Sequence, residues 1–236
     1  MNRRSIHALA LTLTLTIAGT FLHAAPQTPP KAQKLKPTAA ATPAPAPTVA
    51  IISVSGVNDI DSSKAYGSKS APVVMEVFSD FQCPACKALN AGTTQKLMDE
   101  YVSTGKVYLV HRDFPLPMHA YSRVAASYAR AAAHIGKGEA VEQALFQNQE
   151  VWEANGDVKG TVAKVLSPAD MKRVQALVDA KTLDPLIDKD KQIGMTVPVN
   201  QTPTTVFHAK GQTFPYAGSI TYQVLKDFLD QLLKGN

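Results

Sequence analysis

The chain has 236 residues, of which 45% are hydrophobic, and a formal charge of +5 at pH 7. This length allows one large domain or two small ones with a sizeable core. The excess positive charge comes from Arg3 and Arg4 in residues 1–24 and from three lysines in residues 25–48, and neither segment contains an acid. Residues 49–236 are therefore near neutral, so we expect no nucleic-acid partner.

The first 24 residues have the layout of a secretory signal peptide. Two arginines precede an apolar stretch from Ala8 to Leu22, and Leu22-His23-Ala24 offers a cleavage site. The stretch contains threonines and is short for a membrane-spanning helix of roughly 20 apolar residues. We expect export to the periplasm or cell envelope, with an uncleaved anchor as the alternative.

Residues 25–48 are rich in Pro, Ala, Thr and Lys. Such a composition cannot build a core and favours extended polyproline II geometry, which predicts a disordered linker. The folded domain is then expected over residues 49–236, and a short edge strand is expected near residues 50–52.

The two cysteines of the chain, Cys83 and Cys86, form a C-x-x-C pattern. The apolar run Val73–Phe78 predicts a buried strand and residues 85–102 predict a helix, so the motif lies at a strand-to-helix junction. Unpaired N–H groups at a helix N-terminus favour negative charge, and the thiolate is the reactive form of cysteine. A structural disulfide across so short a loop would contribute little stability. We interpret the motif as a redox-active pair.

A zinc site is the main chemical alternative for these cysteines. Structural zinc usually needs four ligands, and the sequence has no second cysteine pair or close histidine pair. A site that borrows His111 or His119 stays open as a minor alternative. We expect no metal and no other cofactor.

The remaining elements are predicted in chain order. Gly105 ends the cysteine helix, and Lys106–His111 is a second strand, so that strand, helix and strand form a right-handed parallel crossover. Residues 118–195 are all-helical, with one helix that begins at the Ser167-Pro168 cap and a last one that ends near Gly194. Two further strands are predicted at Thr204–His208 and Thr213–Tyr216, and they share one mixed sheet with the earlier strands. An amphipathic helix follows, with apolar residues Val224, Leu225, Phe228 and Leu232.

This order of elements resembles the DsbA-like family, which has an α/β thioredoxin fold with a central mixed sheet and an all-helical insertion. The likeness covers roughly residues 58–235 and depends on three motifs. They are EVFSDFQCPACK at residues 76–87, HRDFPLPMH at 111–119 and VNQTPT at 199–204. The resemblance implies a thiol–disulfide oxidoreductase.

The resemblance also implies roles for individual residues. Cys83 would be the exposed nucleophile and Cys86 the resolving thiol beneath it. Thr202 and Pro203 would form a cis-proline loop that faces the cysteines and binds an extended substrate segment. Glu76 matches the family's buried acid, although it lies one residue further from the cysteines than in DsbA itself. Such an acid, with a raised pKa, could exchange protons with Cys86, and a solvent-facing strand charge is the alternative.

The spacer Pro84-Ala85 is expected to tune the redox potential. Strongly oxidising family members have a histidine between the cysteines, and this spacer supplies no such charge. We therefore expect the pKa of Cys83 to lie below the free value of about 8.5 and above the most acidic cases near 3.5.

We expect an oxidase that exchanges disulfides with thiol-containing exported proteins and is reset by a membrane redox partner. The alternatives are an envelope thiol reductase and a non-enzymatic metal-binding or chaperone-like module on the same fold.

Overall fold

The computed structural model describes residue 57 and residues 59–234. The predicted signal peptide, the linker and the edge strand near residues 50–52 lie outside these described residues. No helix within the described part of the chain is long and apolar enough to cross a membrane.

In the described part of the chain, five strands form one mixed sheet in the order β1-β3-β2-β4-β5. Their bounds are β1 Ala65–Tyr66, β2 Val73–Ser79, β3 Val107–Asp113, β4 Thr204–Ala209 and β5 Gln212–Ala217. Strands β2 and β3 are parallel and the other neighbouring pairs are antiparallel. The mixed sheet and the parallel crossover are thus confirmed. Strand β1 was not predicted, because two residues are too short to show an alternating pattern.

The helices surround this sheet. The cysteine helix, residues 84–102, consists of α1 Pro84–Leu89, a π segment Asn90–Thr94, α2 Gln95–Leu97 and a second π segment Met98–Val102. The helices of the insertion are α3 Ser122–His134, α4 Gly138–Gln147, α5 Gln149–Asn155, α6 Val158–Ala163, α7 Pro168–Asp179 and α8 Asp184–Thr196. A last helix, α9 Tyr222–Leu233, follows β5, and a 3-10 turn at Ser62–Lys64 precedes β1. The all-helical insertion is confirmed.

Two details of the insertion differ from the prediction. A separate helix at α6 was not predicted within the helical region, although Asp157 caps it by accepting a hydrogen bond from the Gly160 N–H. Helix α8 was expected to end near Gly194 but continues to Thr196. Gly194 is buried, and a Cβ atom there would lie 2.6 Å from the Phe114 ring. The glycine permits close packing and does not end the helix.

Side chains along β2 alternate between two sides of the sheet. Met75 and Val77 belong to a core that includes Leu89 of the cysteine helix and residues of α9. Phe78 faces the other side and belongs to a core with Phe114. This alternation decides which β2 residues can reach the cysteines.

A third core fills the insertion and includes Cys83 and Cys86 themselves. Trp152 lies fully buried in it, and its indole N–H donates to the Leu145 carbonyl at 2.7 Å. The C-x-x-C pair therefore lies where the thioredoxin-like layer meets the helical insertion.

Candidate active site

Cys83 is the N-cap residue of α1, and Pro84 occupies the first helical position. The Cys83 carbonyl accepts hydrogen bonds from the N–H groups of Cys86 and Lys87, both at 3.1 Å. Proline fits the first turn because its fixed φ suits a helix and the N–H group that it lacks would be unpaired there. Pro84 is exposed and Ala85 is half-buried. The local sequence thus places the Cys83 sulfur at the positive end of the helix.

The loop before β4 covers the Cys83 thiol. The Thr202–Pro203 peptide bond is cis, as predicted. Cys83 Sγ lies 3.2 Å from the Thr202 carbonyl oxygen, to which it donates a hydrogen bond when it is protonated. Cys83 is consequently 7% exposed, which is less open than the exposed nucleophile we expected, and Cys86 is 1% exposed. The loop and the cysteines, which are 119 residues apart in the chain, form one site.

The two thiols have opposite acidities. The hydrogen bond from Cys86 lowers the pKa of Cys83 to about 5, with further support from the Thr202 hydroxyl and from the N–H groups of Cys86 and Ala85, while burial opposes the shift. This value lies within the interval expected from the spacer. Burial raises the pKa of Cys86, and its hydrogen bond to Cys83 adds to the effect. At neutral pH, Cys83 is therefore a thiolate and Cys86 a thiol.

Two glutamines join the turn before the cysteines to the insertion. The Gln149 amide donates to the carbonyls of Phe81 at 2.6 Å and Cys83 at 3.2 Å. The Gln82 carbonyl oxygen accepts from the Tyr121 N–H. Both glutamines are buried, so these bonds are shielded from competing water. No periodic pattern of residues predicts these contacts.

Asp80, in the loop after β2, holds the same turn from the other side. One carboxylate oxygen accepts from the Gln82 N–H at 2.7 Å. The other accepts from the Leu116 N–H at 2.7 Å and lies 2.8 Å from His119 Nδ1. Asp80 and His119 therefore connect the first two family motifs.

The structure corrects the prediction for Glu76. Glu76 is fully buried, and its carboxylate pairs with Arg112 at 2.8 Å and with His208 at 2.7 Å. Burial alone would raise the pKa of Glu76, but the hydrogen bonds from His208 and Arg112 outweigh it and hold the pKa below its ordinary value. The expected raised pKa is therefore wrong.

The position of Glu76 explains the error. Glu76 shares its face of β2 with Phe78, whereas Cys86 borders a cavity with Val77 and Ser79 on the opposite face. The extra residue between the acid and the cysteines, compared with DsbA, places the acid on the side of the sheet away from Cys86.

Sequence reasoning missed a cluster of charged residues on the cysteine side of the sheet. Lys64 Nζ lies 2.6 Å from a Glu142 oxygen and 3.2 Å from an Asp113 oxygen, and all three side chains are buried. The other Glu142 oxygen lies 2.5 Å from His111 Nδ1. The available signals were the polar end of strand β3 and an acid beside Val141 on the apolar side of α4. No group of three or more His, Cys, Asp or Glu residues suited to a metal ion occurs among the described residues.

Comparisons with known proteins identify the family of this chain. A family model described as Thioredoxin matches residues 60–231. Disulfide bond formation protein D of Bacillus subtilis (strain 168) is 24% identical in an alignment of 192 positions that covers 77% of this chain and 82% of that protein.

Solved structures show the same fold. The oxidised form of BdbD from Bacillus subtilis has a TM-score of 0.62 at 22% identity and covers 73% of this chain and 93% of its own. Alpha-DsbA1 from Wolbachia pipientis has a TM-score of 0.61 at 18% identity and covers 72% and 89%. The chain therefore belongs to the thioredoxin family, among its DsbA-like thiol–disulfide oxidoreductases.

Proposed function

We propose that this protein is an exported thiol–disulfide oxidase that passes the Cys83–Cys86 disulfide to thiol-containing proteins of the cell envelope. The observation that supports this most is the unequal acidity of the two thiols. A substrate thiolate attacks Cys83 in the disulfide, and the resulting mixed disulfide is resolved by a second substrate thiol.

Whether the protein oxidises or reduces its substrates follows from the stability of its reduced form. Hydrogen bonds to the Cys83 thiolate stabilise reduced protein and leave the disulfide unchanged, so they make the disulfide a stronger oxidant. The uncharged spacer Pro84-Ala85 adds no further stabilisation of this kind. We therefore infer an oxidase of intermediate strength, with a potential between about −270 mV, as in thioredoxin, and about −120 mV, as in the strongest oxidants.

Substrate binding is assigned to the loop at Thr202 and Pro203. This loop lies against the Cys83 sulfur, so a peptide that presents its thiol to Cys83 must pass along it. The substrates are thiol-containing exported proteins, and a membrane redox partner reoxidises the cysteines. The relative in Bacillus subtilis is named for disulfide bond formation, which supports the same direction.

The location is inferred from the N-terminal sequence. Residues 1–24 act as the signal peptide, and residues 25–48 are a linker between that N-terminal segment and the catalytic domain. N-terminal sequencing of the protein recovered from the envelope fraction tests this. A new N-terminus next to Ala24 supports cleavage, and an intact Met1 points to an anchor.

The activity is tested with the full-length protein and a Cys83→Ser control. Oxidised wild-type protein should convert a reduced two-cysteine peptide to its disulfide, whereas Cys83→Ser should not. The equilibrium constant with glutathione should place the potential within the stated interval.

Other outcomes decide against the oxidase. A potential near that of thioredoxin, together with rapid reduction of insulin, would identify a reductase. Wild-type activity no greater than that of Cys83→Ser would favour the non-enzymatic module.

A further inference from the structure

The buried thiol of Cys86 needs a partner for proton exchange. When a substrate thiolate attacks Cys83, the Cys83–Cys86 bond breaks and its electron pair stays on the Cys86 sulfur. A thiol of raised pKa is a poor leaving group as a thiolate, so a proton supplied to it speeds the step. Glu76, the acid expected to do this, lies on the opposite side of the sheet.

A small cavity of about 20 Å³ lies against the inner side of Cys86. It has room for one water molecule, which needs roughly 10–15 Å³ of such volume. Polar residues border it and could hold that water, and the ionisable ones besides Cys86 are Lys64, His111, Arg112 and Asp113. The guanidinium group of Arg112 pairs with Glu76 on the other face of the sheet.

Three of these four residues, Lys64, Arg112 and Asp113, are held in buried ion pairs with Arg, Lys, Asp or Glu partners. The carboxylates of Asp113 and Glu142 outweigh burial and keep the pKa of Lys64 above its ordinary value, so its proton is retained. Arginine does not release its proton in proteins. Asp113 is paired with both Lys64 and Arg130. The remaining ionisable residue at the cavity is His111, which contacts Glu142 through one ring nitrogen.

His111 is oriented by Glu142. Burial alone would raise the pKa of Glu142, but His111 and Lys64 hold it well below its usual range, so the carboxylate is ionised and can only accept. His111 Nδ1, 2.5 Å away, therefore carries a hydrogen. The Tyr66 ring lies 5.4 Å from the imidazole centroid and supports it from one side. The second ring nitrogen, Nε2, makes no hydrogen bond to any residue that the structure describes.

The histidine also connects the cavity to solvent. A larger pocket of about 420 Å³ shares His111, Asn90, Thr94 and Phe146 with the small cavity. Exposed residues such as Gln95 and Glu139 line this outer pocket. The His111 side chain is 17% exposed, so it can exchange protons with solvent while it borders the space beneath Cys86.

From this geometry we propose that the His111–Glu142 pair is the proton relay for Cys86. As the Cys83–Cys86 bond breaks, protonated His111 passes a proton through one water to the Cys86 sulfur and becomes neutral. Solvent in the outer pocket then reprotonates it. In the reverse direction, neutral His111 accepts the proton when Cys86 attacks a mixed disulfide at Cys83. The inference rests on the disulfide exchange proposed above.

The test measures how fast reduced glutathione opens the disulfide of the full-length protein, by rapid mixing and acid quenching. His111→Ala should slow this opening by about 100-fold, the lower end of what general acid–base catalysis contributes. Added imidazole should restore the rate in a saturable way, because it can enter the outer pocket. The alkylation rate of Cys83 in the reduced protein should not change. His134→Ala, an exposed histidine at the end of α3, is the control and should match wild type.

His111→Gln separates proton transfer from a structural role. Glutamine can keep a hydrogen bond to Glu142 and fill the space, but it cannot transfer the proton. The opening should be as slow as in His111→Ala, and imidazole should not restore it. Wild-type rates in His111→Gln, or no rescue of His111→Ala, would overturn the relay. If wild-type protein itself exchanges no disulfide with glutathione, the proposed function fails instead.

Discussion

At the scale of single residues, the acidity of Cys83 depends on a few short contacts. Its thiolate is stabilised by Cys86, by the Thr202 hydroxyl and by the start of the helix. The Thr202 hydroxyl is buried and has no hydrogen-bond partner among the described residues, so it is free to donate to the thiolate. This makes Thr202 a direct means of changing the redox potential without touching the cysteines.

Thr202→Val should raise the pKa of Cys83 by about one unit, because a hydrogen bond to a charged group contributes roughly 1.5 kcal/mol and one pKa unit equals about 1.4 kcal/mol. The disulfide should become correspondingly less oxidising. Absorbance of the thiolate as a function of pH gives the first quantity and equilibrium with glutathione the second. Thr205→Val, which removes a buried hydroxyl from β4, is the matched control. An equal shift in both variants would contradict this role of Thr202.

The lowered pKa also predicts how stability depends on pH. Cys83 titrates near 5 in the folded reduced protein and near 8.5 when unfolded. Between these values the unfolded chain binds a proton that the folded protein does not, so the stability of the reduced form rises with pH. This contribution is complete above about pH 8.5 and is lost as the pH falls to about 5.

The oxidised form lacks this thiol and serves as the reference. We would measure the urea midpoint of unfolding for both forms from pH 5 to pH 8. The midpoint of the reduced form should rise relative to that of the oxidised form as the pH increases. A constant difference would show that Cys83 is not acidic.

At the scale of elements, close packing of helices onto the sheet decides where glycine is required. Gly194 lies against the Phe114 ring, whereas a Cβ atom at Gly92 in the cysteine helix would meet nothing within 4 Å. The same substitution should therefore have opposite effects at the two positions.

Gly194→Ala should lower the free energy of unfolding by about 1–3 kcal/mol through overpacking. Gly92→Ala should raise it by roughly 0.5–1 kcal/mol, because alanine restricts the unfolded chain and favours a helix. Urea unfolding of both variants measures the difference. Equal effects would mean that the core around Phe114 adapts to the extra methyl group.

The elements could be predicted where local pattern determines them. The apolar run of β2, the Ser167-Pro168 cap and the C-x-x-C junction each lie within a few neighbouring residues. Gly194 was misread as a stop signal because glycine is required there by contact with the ring of Phe114, which lies 80 positions earlier in the chain. The Gln149 contact to the cysteine turn escaped prediction for the same reason, since only the folded chain brings the two together.

At the scale of the whole molecule, buried charges join the insertion to the sheet. Arg130 of α3 donates to Asp113 of β3 at 2.8 Å and pairs with Asp190 of α8 and with Asp61. Arg112 of β3 also pairs with Asp190. Buried ion pairs are favourable only when the two side chains are correctly placed, and removing one partner leaves the other charge buried without compensation.

Arg130→Met should therefore destabilise the protein by about 3–5 kcal/mol. Arg123→Met removes an exposed pair with Asp188, at 2.7 Å, and should cost at most about 1 kcal/mol. Urea unfolding under the same conditions compares the two. Similar losses in both variants would show that the buried network contributes no more than a surface pair.

The spacing between Glu76 and the cysteines combines two separate lengths. The part within β2 sets the side of the sheet on which a residue lies, because faces alternate at every position. The turn from Ser79 to Cys83 sets only the distance. A residue that lies an odd number of positions from Val77 within the strand is on the other face of the sheet. It therefore cannot exchange a proton with the buried thiol, however close the two are in sequence. In related sequences, the acid should reach the cysteines only where it lies an even number of residues from the position of Val77 within the strand. The length of the turn after the strand should not change this rule.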